Sequence, residues 1–295
     1  MRILIIGKDG QLGKSIQSLV ADTEQDENYV FVGRDQLDLS NNSIDDYFEV
    51  NDRFDAIINC AAYTAVDKAE KEQDLANQIN HLAVAQMAKI AKNQHAKLVH
   101  ISTDYVFDGE SGEPYVETDQ TNPINIYGKT KLAGELSVQE TMPTNAIIIR
   151  TSWVYSEYGN NFVKTMLRLG KERSDISVVS DQIGSPTYAY DLAKAIINLI
   201  QNREFKKEGQ ETQIYHYSNA GKVSWSEFAK EIFDIAGLDC KINPIKTSEY
   251  FLPGMALRPK NTSMDKSKFK DTFQAKIINW KDSLRKLLAE SADDI

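Results

Sequence analysis

Cysteine is scarce in this chain, and its scarcity limits the chemistry that the protein can carry. Only Cys60 and Cys240 occur among 295 residues, too few and too far apart for a zinc-binding cluster. The four histidines show no spacing typical of metal ligands. We therefore expect no metal site, and we expect both thiols to be reduced, as is usual in the cytosol.

Long apolar runs and an excess of positive charge are also missing. No stretch approaches the roughly 18 consecutive apolar residues of a membrane span, and Met1 leads directly into a short apolar run without a signal-peptide pattern. The formal net charge of -9 argues against binding to a nucleic-acid backbone. With a hydrophobic content of 41%, the chain is expected to be a cytoplasmic globular enzyme without membrane or nucleic-acid partners.

A glycine-rich turn follows the first apolar run. Residues 2–6 predict a buried parallel strand, and Gly7, Gly10 and Gly13 come next, before a helical pattern through Val20. Such glycines allow a tight turn, close approach of the backbone to a pyrophosphate, and packing of the helix on the strand. The spacing is G-x-x-G-x-x-G rather than G-x-G-x-x-G. Its place between a strand and a helix nevertheless predicts a dinucleotide site.

Strand-like and helix-like patterns then alternate along the first half of the chain. The further predicted strands are residues 29–32, 56–60, 98–101, 146–149 and 214–217. The predicted helices are residues 43–50 (capped by Asn42 or Ser43), 74–93, 126–139, 160–169, 190–201 and 224–236, the last with a capping box of Ser224 and Glu227. This order predicts an α/β fold with a Rossmann-like, doubly wound parallel sheet.

The second half is less regular and predicts a smaller, interleaved lobe. We expect residues 1–150 to form a dinucleotide-binding domain, to which segments near 188–217 return, and residues 151–295 to form mainly a substrate-binding lobe.

Residues at the ends of the predicted strands include Gly7, Ala61, Ser102 and Arg150. Because ligands bind beyond the carboxyl ends of strands in such sheets, we expect these four positions to converge on one site.

Tyr127 and Lys131 lie four residues apart on a predicted helix, with Ser102, Thr103 and Asp104 ending a strand upstream. Side chains at this spacing share one helix face, about 5–6 Å apart. The pKa of a tyrosine is ordinarily about 10, and a nearby cation favours its ionised form. Since this spacing alone is common on solvent-facing helices, the glycine-rich turn is what favours a proton-transfer pair acting on a carbonyl or alcohol.

Several segments in order resemble one known family. They are residues 7–13, 59–70, 102–107, 127–131, 150–155 and 160–162. The series is similar to the dTDP-4-dehydrorhamnose reductases, a family of extended short-chain dehydrogenases/reductases, over roughly residues 1 to 265. The resemblance implies reduction of the 4-keto group of dTDP-4-dehydro-L-rhamnose to dTDP-L-rhamnose by NADPH or NADH. This is the last step in making an activated sugar for surface polysaccharide. A homodimer is compatible with this interpretation.

The resemblance also implies roles for single residues. Tyr127 would give a proton to the oxygen at C4 of the sugar, and Lys131 would hold the nicotinamide ribose. Thr103 would hydrogen-bond the substrate carbonyl, while Asp104 and Trp153 would contact the sugar nucleotide. Trp153 could instead be a core aromatic residue.

Segment 182–187 and the pair Arg258-Pro259 resemble family segments near the nucleotide diphosphate. Arg258 would bind the diphosphate, since its planar fork donates two hydrogen bonds at once; it could instead be a surface charge. The irregular segments 182–187 and 251–258 are expected to close over the ligand.

The cofactor residues implied by the resemblance extend from the glycine-rich turn to the pair on the helix. They are Gly7, Asp9, Gly10, Gln11, Leu12, Gly13, Arg34, Asp38, Leu39, Ala62, Tyr63, Thr64, Tyr127 and Lys131. Asp38 could instead be a turn cap.

The end of the second predicted strand predicts the preferred cofactor. NAD-preferring sites usually place an acid there, about 20 residues past the glycines. Here Gly33 and Arg34 occupy those positions, although Asp35 comes next. Because Arg34 can pair with a 2′-phosphate, we expect NADPH to be preferred and NADH to be tolerated.

Two other functions remain open from the sequence. Some relatives of this fold are non-catalytic regulatory subunits of methionine adenosyltransferase, but here Thr103, Tyr127 and Lys131 are all present. An epimerase, dehydratase or reductase acting on another nucleotide sugar is the second alternative. A dehydratase is expected to carry an adjacent glutamate after Asp104, and Tyr105 stands there instead.

Overall fold

The computed structural model describes residues 1–21, 28–41, 44–51 and 53–290. Its strands are β1 (Ile3–Ile6), β2 (Tyr29–Val32), β3 (Ala56–Asn59), β4 (Lys97–Thr103), β5 (Ala146–Thr151), β6 (Val154–Tyr155), β7 (Asp175–Val179), β8 (Ile183–Gly184), β9 (Thr187–Tyr188), β10 (Gln213–His216), β11 (Val223–Ser224) and β12 (Lys241–Ile245). Its helices are α1 (Gln11–Ala21), α2 (Ile44–Val50), α3 (Val66–Ala69), α4 (Gln73–Asn77), α5 (Ala83–Gln94), α6 (Ile126–Thr141), α7 (Phe162–Glu172), α8 (Ala189–Gln201), α9 (Arg203–Lys206), α10 (Trp225–Ala236), α11 (Thr247–Tyr250), α12 (Ser267–Phe273) and α13 (Trp280–Glu290). The cap expected at Asn42 or Ser43 lies outside the described residues.

Six parallel strands form the central sheet in the order β2-β1-β3-β4-β5-β10. The strand order reverses between β1 and β3, so the ends of these two strands leave a crevice at the carboxyl edge. The predicted Rossmann-like, doubly wound parallel sheet is thereby confirmed.

Alternate side chains of the short strands enter two separate cores. Ile3 and Ile5 of β1 pack on one face of the sheet, against α1 and α8. Leu4 and Ile6 pack on the other face, against α5 and α6. Since both faces of the sheet are covered, the strands read as continuous apolar runs instead of alternating ones.

A third core lies in the second half of the chain, between α7, β7, α10 and α13. The predicted capping box of Ser224 and Glu227 is present at the start of α10. As expected, α8 and β10 return to the central sheet. The helix α12 also returns to it, because Phe269 and Phe273 pack on Tyr215 of β10. No local pattern in the sequence predicts this contact.

The predicted helix at 74–93 is interrupted by a π-helical segment. The chain forms α4, then one wide turn over Gln78–Leu82, and then α5. The predicted strand at 98–101 extends to Thr103, and the helix after the glycine-rich turn begins at Gln11. None of the helices in these ranges is long and apolar enough to cross a bilayer.

A buried ion pair joins α6 to the central sheet. Arg150 of β5 donates two hydrogen bonds to Glu135, from Nε at 3.0 Å and from Nη2 at 2.7 Å. The two side chains are 3% and 0% exposed. Ser102 of β4 also donates to the carboxylate, and the guanidinium lies 5.1 Å from the ring centroid of Phe107. Because the pair is nearly dry, loss of one partner leaves an uncompensated charge.

Replacement of Arg150 by methionine is therefore expected to lower the free energy of unfolding by about 3–5 kcal/mol. The double variant R150M/E135L removes both charges and should recover much of this loss. Chemical denaturation measures both effects. The matched control is R168A, which breaks an exposed pair with Glu172 and should cost less than about 1 kcal/mol. Equal losses for R150M and R168A would contradict the expectation.

Candidate functional site

A cavity of about 800 Å³ opens at the carboxyl edge of the sheet, where the strand order reverses. It is lined by most of the site residues that the sequence predicts. These are Gly7, Asp9, Gly10, Gln11, Leu12, Arg34, Asp38, Leu39, Ala62, Tyr63, Thr64, Thr103, Asp104, Tyr127, Lys131 and Trp153. Gly13 and Arg258 are predicted site residues that do not line it.

Of the four strand-end positions expected to converge, Arg150 is the exception. Ala61, Gly7 and Ser102 line the cavity. Arg150 does not, because its guanidinium is bound to buried Glu135 beneath the site. The expectation was wrong for this residue, since Arg150 lies within β5 and its side chain enters the interior.

The glycines of the turn are required by close contacts of the backbone. Gly7 has φ +92°, and a Cβ added there would lie 2.8 Å from the Ala61 nitrogen. A Cβ on Gly13 would lie 2.2 Å from the Gly7 oxygen, so Gly13 serves the packing of α1 on β1. At Gly10 the nearest atom would be 3.4 Å away. Gly10 therefore leaves room for a ligand at the start of α1.

Gln11 joins this turn to the second half of the chain. Its Oε1 accepts hydrogen bonds from Ser156 and Asn161, each at 3.0 Å. Its Nε2 donates to the Val154 oxygen at 3.3 Å. The side-chain amide of Gln11 therefore has its hydrogen-bond partners within the protein.

Arg34 stands at the end of β2 and is 76% exposed. Its Nε lies 3.4 Å from the Asp38 carboxylate. Asp38 also accepts the backbone N–H of Ser40 at 2.9 Å, and this bond is the main reason that its pKa is lowered. Asp38 thus combines the alternative role of a turn cap with a position in the cavity wall.

A second cation, Lys8, lies near Gly33 at the end of β2, outside the cavity lining, and the sequence reasoning missed it. Nζ of Lys8 donates to Gln36 at 2.7 Å and lies 3.6 Å from Asp35. Lys8 comes from the glycine-rich turn, but the fold brings it to the end of β2. The signal available was its position within the turn, next to Gly7.

The π-helical turn supplies another residue that was missed. Asn80 accepts the backbone N–H of Tyr63 at 2.8 Å and donates to the Tyr63 oxygen at 3.1 Å. It also donates to the Thr130 hydroxyl on α6 at 3.2 Å. Asn80 therefore fixes the loop after β3 against the helix that carries Tyr127 and Lys131.

Burial dominates the acidity of the central phenol. The pKa of Tyr127 is raised to about 12, first by burial and also by the charge of Asp104, while the Thr103 hydroxyl lowers it. The expectation that Lys131 favours the ionised phenol is not met here. Nζ of Lys131 instead donates to the Ile101 oxygen at 2.6 Å. Tyr127 is thus an undissociated proton donor at neutral pH.

Thr103 and Asp104 sit side by side at the end of β4. The Thr103 hydroxyl lies 3.0 Å from Asp104 Oδ1 and accepts the backbone N–H of Tyr105. The other carboxyl oxygen of Asp104 is buried without a hydrogen-bond partner. Burial raises the pKa of Asp104 to about 7. A neutral Asp104 can therefore donate a hydrogen bond to a ligand near neutral pH.

Trp153 forms an aromatic wall with a residue that sequence reasoning missed. Its ring stacks on Trp225 at a centroid distance of 3.5 Å, and both residues line the cavity. Trp153 has φ +46°, a left-handed conformation that is rare for a bulky residue. A Cβ on Gly184 would lie 2.6 Å from the indole. Trp153 is thus both a cavity residue and part of the packing of the second half.

Arg258 is bound to a carboxylate outside the cavity lining. Its two terminal nitrogens lie 3.0 and 2.7 Å from the oxygens of Asp67. The alternative of a simple surface charge does not apply, because this bidentate pair joins segment 251–258 to α3. Leu252 and Leu257 of that segment are exposed, in keeping with the predicted irregular loop.

Segment 182–187 is packed into the protein, which argues against the closing movement expected for it. Gln182, Ser185 and Thr187 are buried, and Ile183–Gly184 pairs with β11. Thr187 belongs to β9, and Gln182 and Ser185 are buried outside the strands. Segment 251–258 has exposed side chains instead, such as Leu252 and Leu257, as a closing loop would.

Taken together, the cavity offers a glycine-rich turn, the cation Arg34 at the end of β2, and the phenol, amine and hydroxyl of Tyr127, Lys131 and Thr103. This arrangement suits proton transfer to a carbonyl oxygen beside a bound dinucleotide. Across the described ranges, no group of His, Cys, Asp and Glu side chains is placed to hold a metal ion.

Comparison with known proteins is consistent with this chemistry. The family described as RmlD substrate binding domain matches residues 1–292. The dTDP-4-dehydrorhamnose reductase of Sinorhizobium fredii is 39% identical, covering 98% of this chain and 97% of that protein. The crystal structure of the Clostridium acetobutylicum enzyme has a TM-score of 0.90 at 39% identity, covering 99% and 100% of the chains. That of the Bacillus anthracis enzyme in complex with NADP has a TM-score of 0.86 at 43% identity, covering 98% and 99%.

Proposed function

Because the chain belongs to the family of the RmlD substrate binding domain, with the dTDP-4-dehydrorhamnose reductases, we propose that it reduces dTDP-4-dehydro-L-rhamnose to dTDP-L-rhamnose. NADPH is the cofactor and NADH is tolerated, in line with the NADP complex of the relative from Bacillus anthracis. The reaction is the last step in making this activated sugar for surface polysaccharide. The observation that carries the proposal is that Thr103, Tyr127 and Lys131 all line the cavity beside the glycine-rich turn.

Each reacting group has a defined task in this mechanism. The dihydronicotinamide, when bound, supplies the hydride for C4 of the sugar. Tyr127 donates its phenolic proton to the oxygen at C4, and burial keeps that proton in place at neutral pH. Thr103 hydrogen-bonds the same oxygen, Lys131 holds the nicotinamide ribose, and Asp104 and Trp153 contact the sugar nucleotide.

Cofactor and substrate contacts divide between the two halves of the chain in this proposal. Residues 1–150, joined by segments near 188–217, bind the dinucleotide through the sheet edge. Residues 151–295 mainly form the substrate lobe, and the stacked Trp153 and Trp225 support this because both line the cavity. Arg258 reaches the diphosphate if a ligand displaces it from Asp67, which is a further part of the proposal.

The setting of the reaction is also proposed. The cytoplasm supplies nicotinamide cofactors and nucleotide sugars, and both Cys60 and Cys240 are free thiols. A homodimer stays a prediction, which sedimentation of the purified protein tests.

The alternatives are disfavoured by particular residues. A non-catalytic regulatory subunit has no need of a buried phenol, amine and hydroxyl in one cavity, yet Tyr127, Lys131 and Thr103 are placed so. A dehydratase is expected to have a glutamate after Asp104, and Tyr105 occupies that position.

A coupled assay that follows NADPH absorbance tests the substrate directly. Turnover is expected with dTDP-4-dehydro-L-rhamnose and little with UDP- or GDP-linked keto sugars. Equal rates with all three nucleotides, or no turnover with the dTDP sugar, would contradict the proposal.

The variant Y127F is expected to lose turnover by about 10²–10⁴-fold, because a positioned acid contributes that much. Folding and NADPH binding should be unchanged, as circular dichroism and cofactor fluorescence would show. If Y127F keeps more than about a third of the wild-type kcat, another group supplies the proton, because loss of the acid predicts at least that 10²-fold drop.

The variant R34A is expected to weaken NADPH by about ten- to a hundredfold and to leave NADH nearly unchanged. A charge-assisted phosphate contact is worth roughly 1.5–3 kcal/mol. Titration calorimetry with each cofactor measures the difference. The matched control is R168A, which removes an exposed arginine with the same i,i+4 pairing to an acid. If R34A weakens both cofactors alike, then Arg34 does not contact the 2′-phosphate, and Lys8 becomes the candidate.

A further inference from the structure

The amine of Lys131 has a neighbour that the mechanism leaves unused. Lys131 is 1% exposed, and its Nζ donates to the Ile101 oxygen at 2.6 Å. The same Nζ lies 3.3 Å from Nε2 of His100. The imidazole belongs to β4 and is 0% exposed, so it forms the inner wall of the lysine site.

The orientation of the Asn59 side chain determines which ring nitrogen of His100 carries the hydrogen. Oδ1 of Asn59 accepts the backbone N–H of Ala61 at 3.0 Å. The amide nitrogen of Asn59 must then face Nδ1 of His100, at 3.1 Å. An amide NH₂ only donates hydrogen bonds, so Nδ1 is the acceptor and carries no proton.

His100 is also uncharged. Burial holds its pKa well below the ordinary value, and the neighbouring charge of Lys131 lowers it further. A neutral imidazole with an unprotonated Nδ1 carries its single hydrogen on Nε2. That N–H points at Nζ of Lys131. A lysine ammonium has three donors and no acceptor, whereas the uncharged amine has one lone pair.

We infer that His100 and Asn59 are positioning residues for the lysine: they present to Nζ an N–H that only the uncharged amine can accept, and so favour the amine over the ammonium form of Lys131. The inference rests on the proposed function. A series of contacts links Ala61 to Asn59, Asn59 to His100, and His100 to Lys131, from the end of β3 across β4 to α6. The backbone at the edge of the sheet therefore determines which protonation state of the Lys131 amine is favoured.

Other charged groups around Lys131 act in known directions. Burial is the main influence and lowers its pKa to about 8, while the carboxylate of Glu135 raises it. That carboxylate is itself bound by Arg150, which limits its effect. From the cavity side, Tyr127 is undissociated at neutral pH, since its pKa is raised to about 12.

Two further titratable groups line the cavity near the lysine. The pKa of the Cys60 thiol is raised to about 12 by burial, so the thiol is uncharged. The pKa of Asp104 is raised to about 7, also by burial, and its charge acts on Tyr127. In the described part of the chain, the hydrogen-bond contacts of Nζ are with His100 and the Ile101 oxygen, and with neither of these two groups. The N–H of His100 therefore adds to the effect of burial, and kcat for reduction should fall as pH rises through the pKa of Lys131.

The substitution N59D reverses the donor and acceptor roles in this series of hydrogen bonds without changing the shape of the side chain. A carboxylate accepts from both Ala61 N–H and a protonated Nδ1, so Nε2 of His100 becomes an acceptor for the ammonium. The alkaline limb of the kcat profile should then move up by about one pH unit or more. Nitrogen NMR of His100 should show the Nε2–H form in the wild type and the Nδ1–H form in N59D.

The matched control is N125D, which adds the same charge at the N-cap of α6, where aspartate is also favoured. It should leave the tautomer of His100 unchanged and shift the alkaline limb less than N59D does. An equal shift from N125D would overturn the inference, because charge alone would then explain the effect. An Nδ1–H form in the wild type would also overturn it.

Two further measurements keep the result independent of folding and of the proposed substrate. If N59D fails to fold, N59L removes the donor to Nδ1 with little change in volume and should shift the limb in the same direction, by less. If no keto sugar is reduced, carbon NMR titration of the Lys131 side chain, assigned with K131M, reports the same pKa directly. An unchanged lysine pKa in folded N59D would sink the inference without touching the proposed reaction.

Discussion

The burial of two charged side chains on the face of α6 that also carries Tyr127 is the constraint on which the site depends. Tyr127, Lys131 and Glu135 follow one another at intervals of four residues, and the last two are almost fully buried. Buried charge is costly unless it is paired. The sheet supplies a partner for each of the two charges. The Ile101 oxygen accepts a hydrogen bond from Lys131, and Arg150 forms an ion pair with Glu135. The helix can therefore sit in only one register on β4 and β5.

Some parts of the fold could be predicted because they depend only on the local pattern of the sequence. Apolar runs such as residues 3–6 are bounded by turns and need no distant partner to be recognised, so the strands and their parallel order were predictable. The Tyr127 and Lys131 pair was recognisable for the same reason, since its spacing is local. The π-helical turn around Asn80 was not, because the apolar period continues through it while the asparagine turns toward a loop 17 residues earlier.

The remaining site residues depend on contacts between distant segments. Lys8 reaches the end of β2, and His100 reaches the helix that carries Lys131. Neither contact leaves a periodic trace in the sequence. The indole of Trp153 required both a left-handed backbone and a glycine at position 184 to fit. Backbone strain of this kind occurs at functional sites, and the conformational propensities of single residues do not predict it.

The side chain of Gln11 gives the turn a second duty. Its amide joins the glycine-rich turn to Val154, Ser156 and Asn161, so one residue connects the start of α1 to the second half of the chain. A turn transplanted from an unrelated dinucleotide enzyme would carry the glycines without this anchor. The glycine-rich turn and the segment 154–161 are therefore coupled: a change in the conformation of the turn also changes how this segment is held against the central sheet.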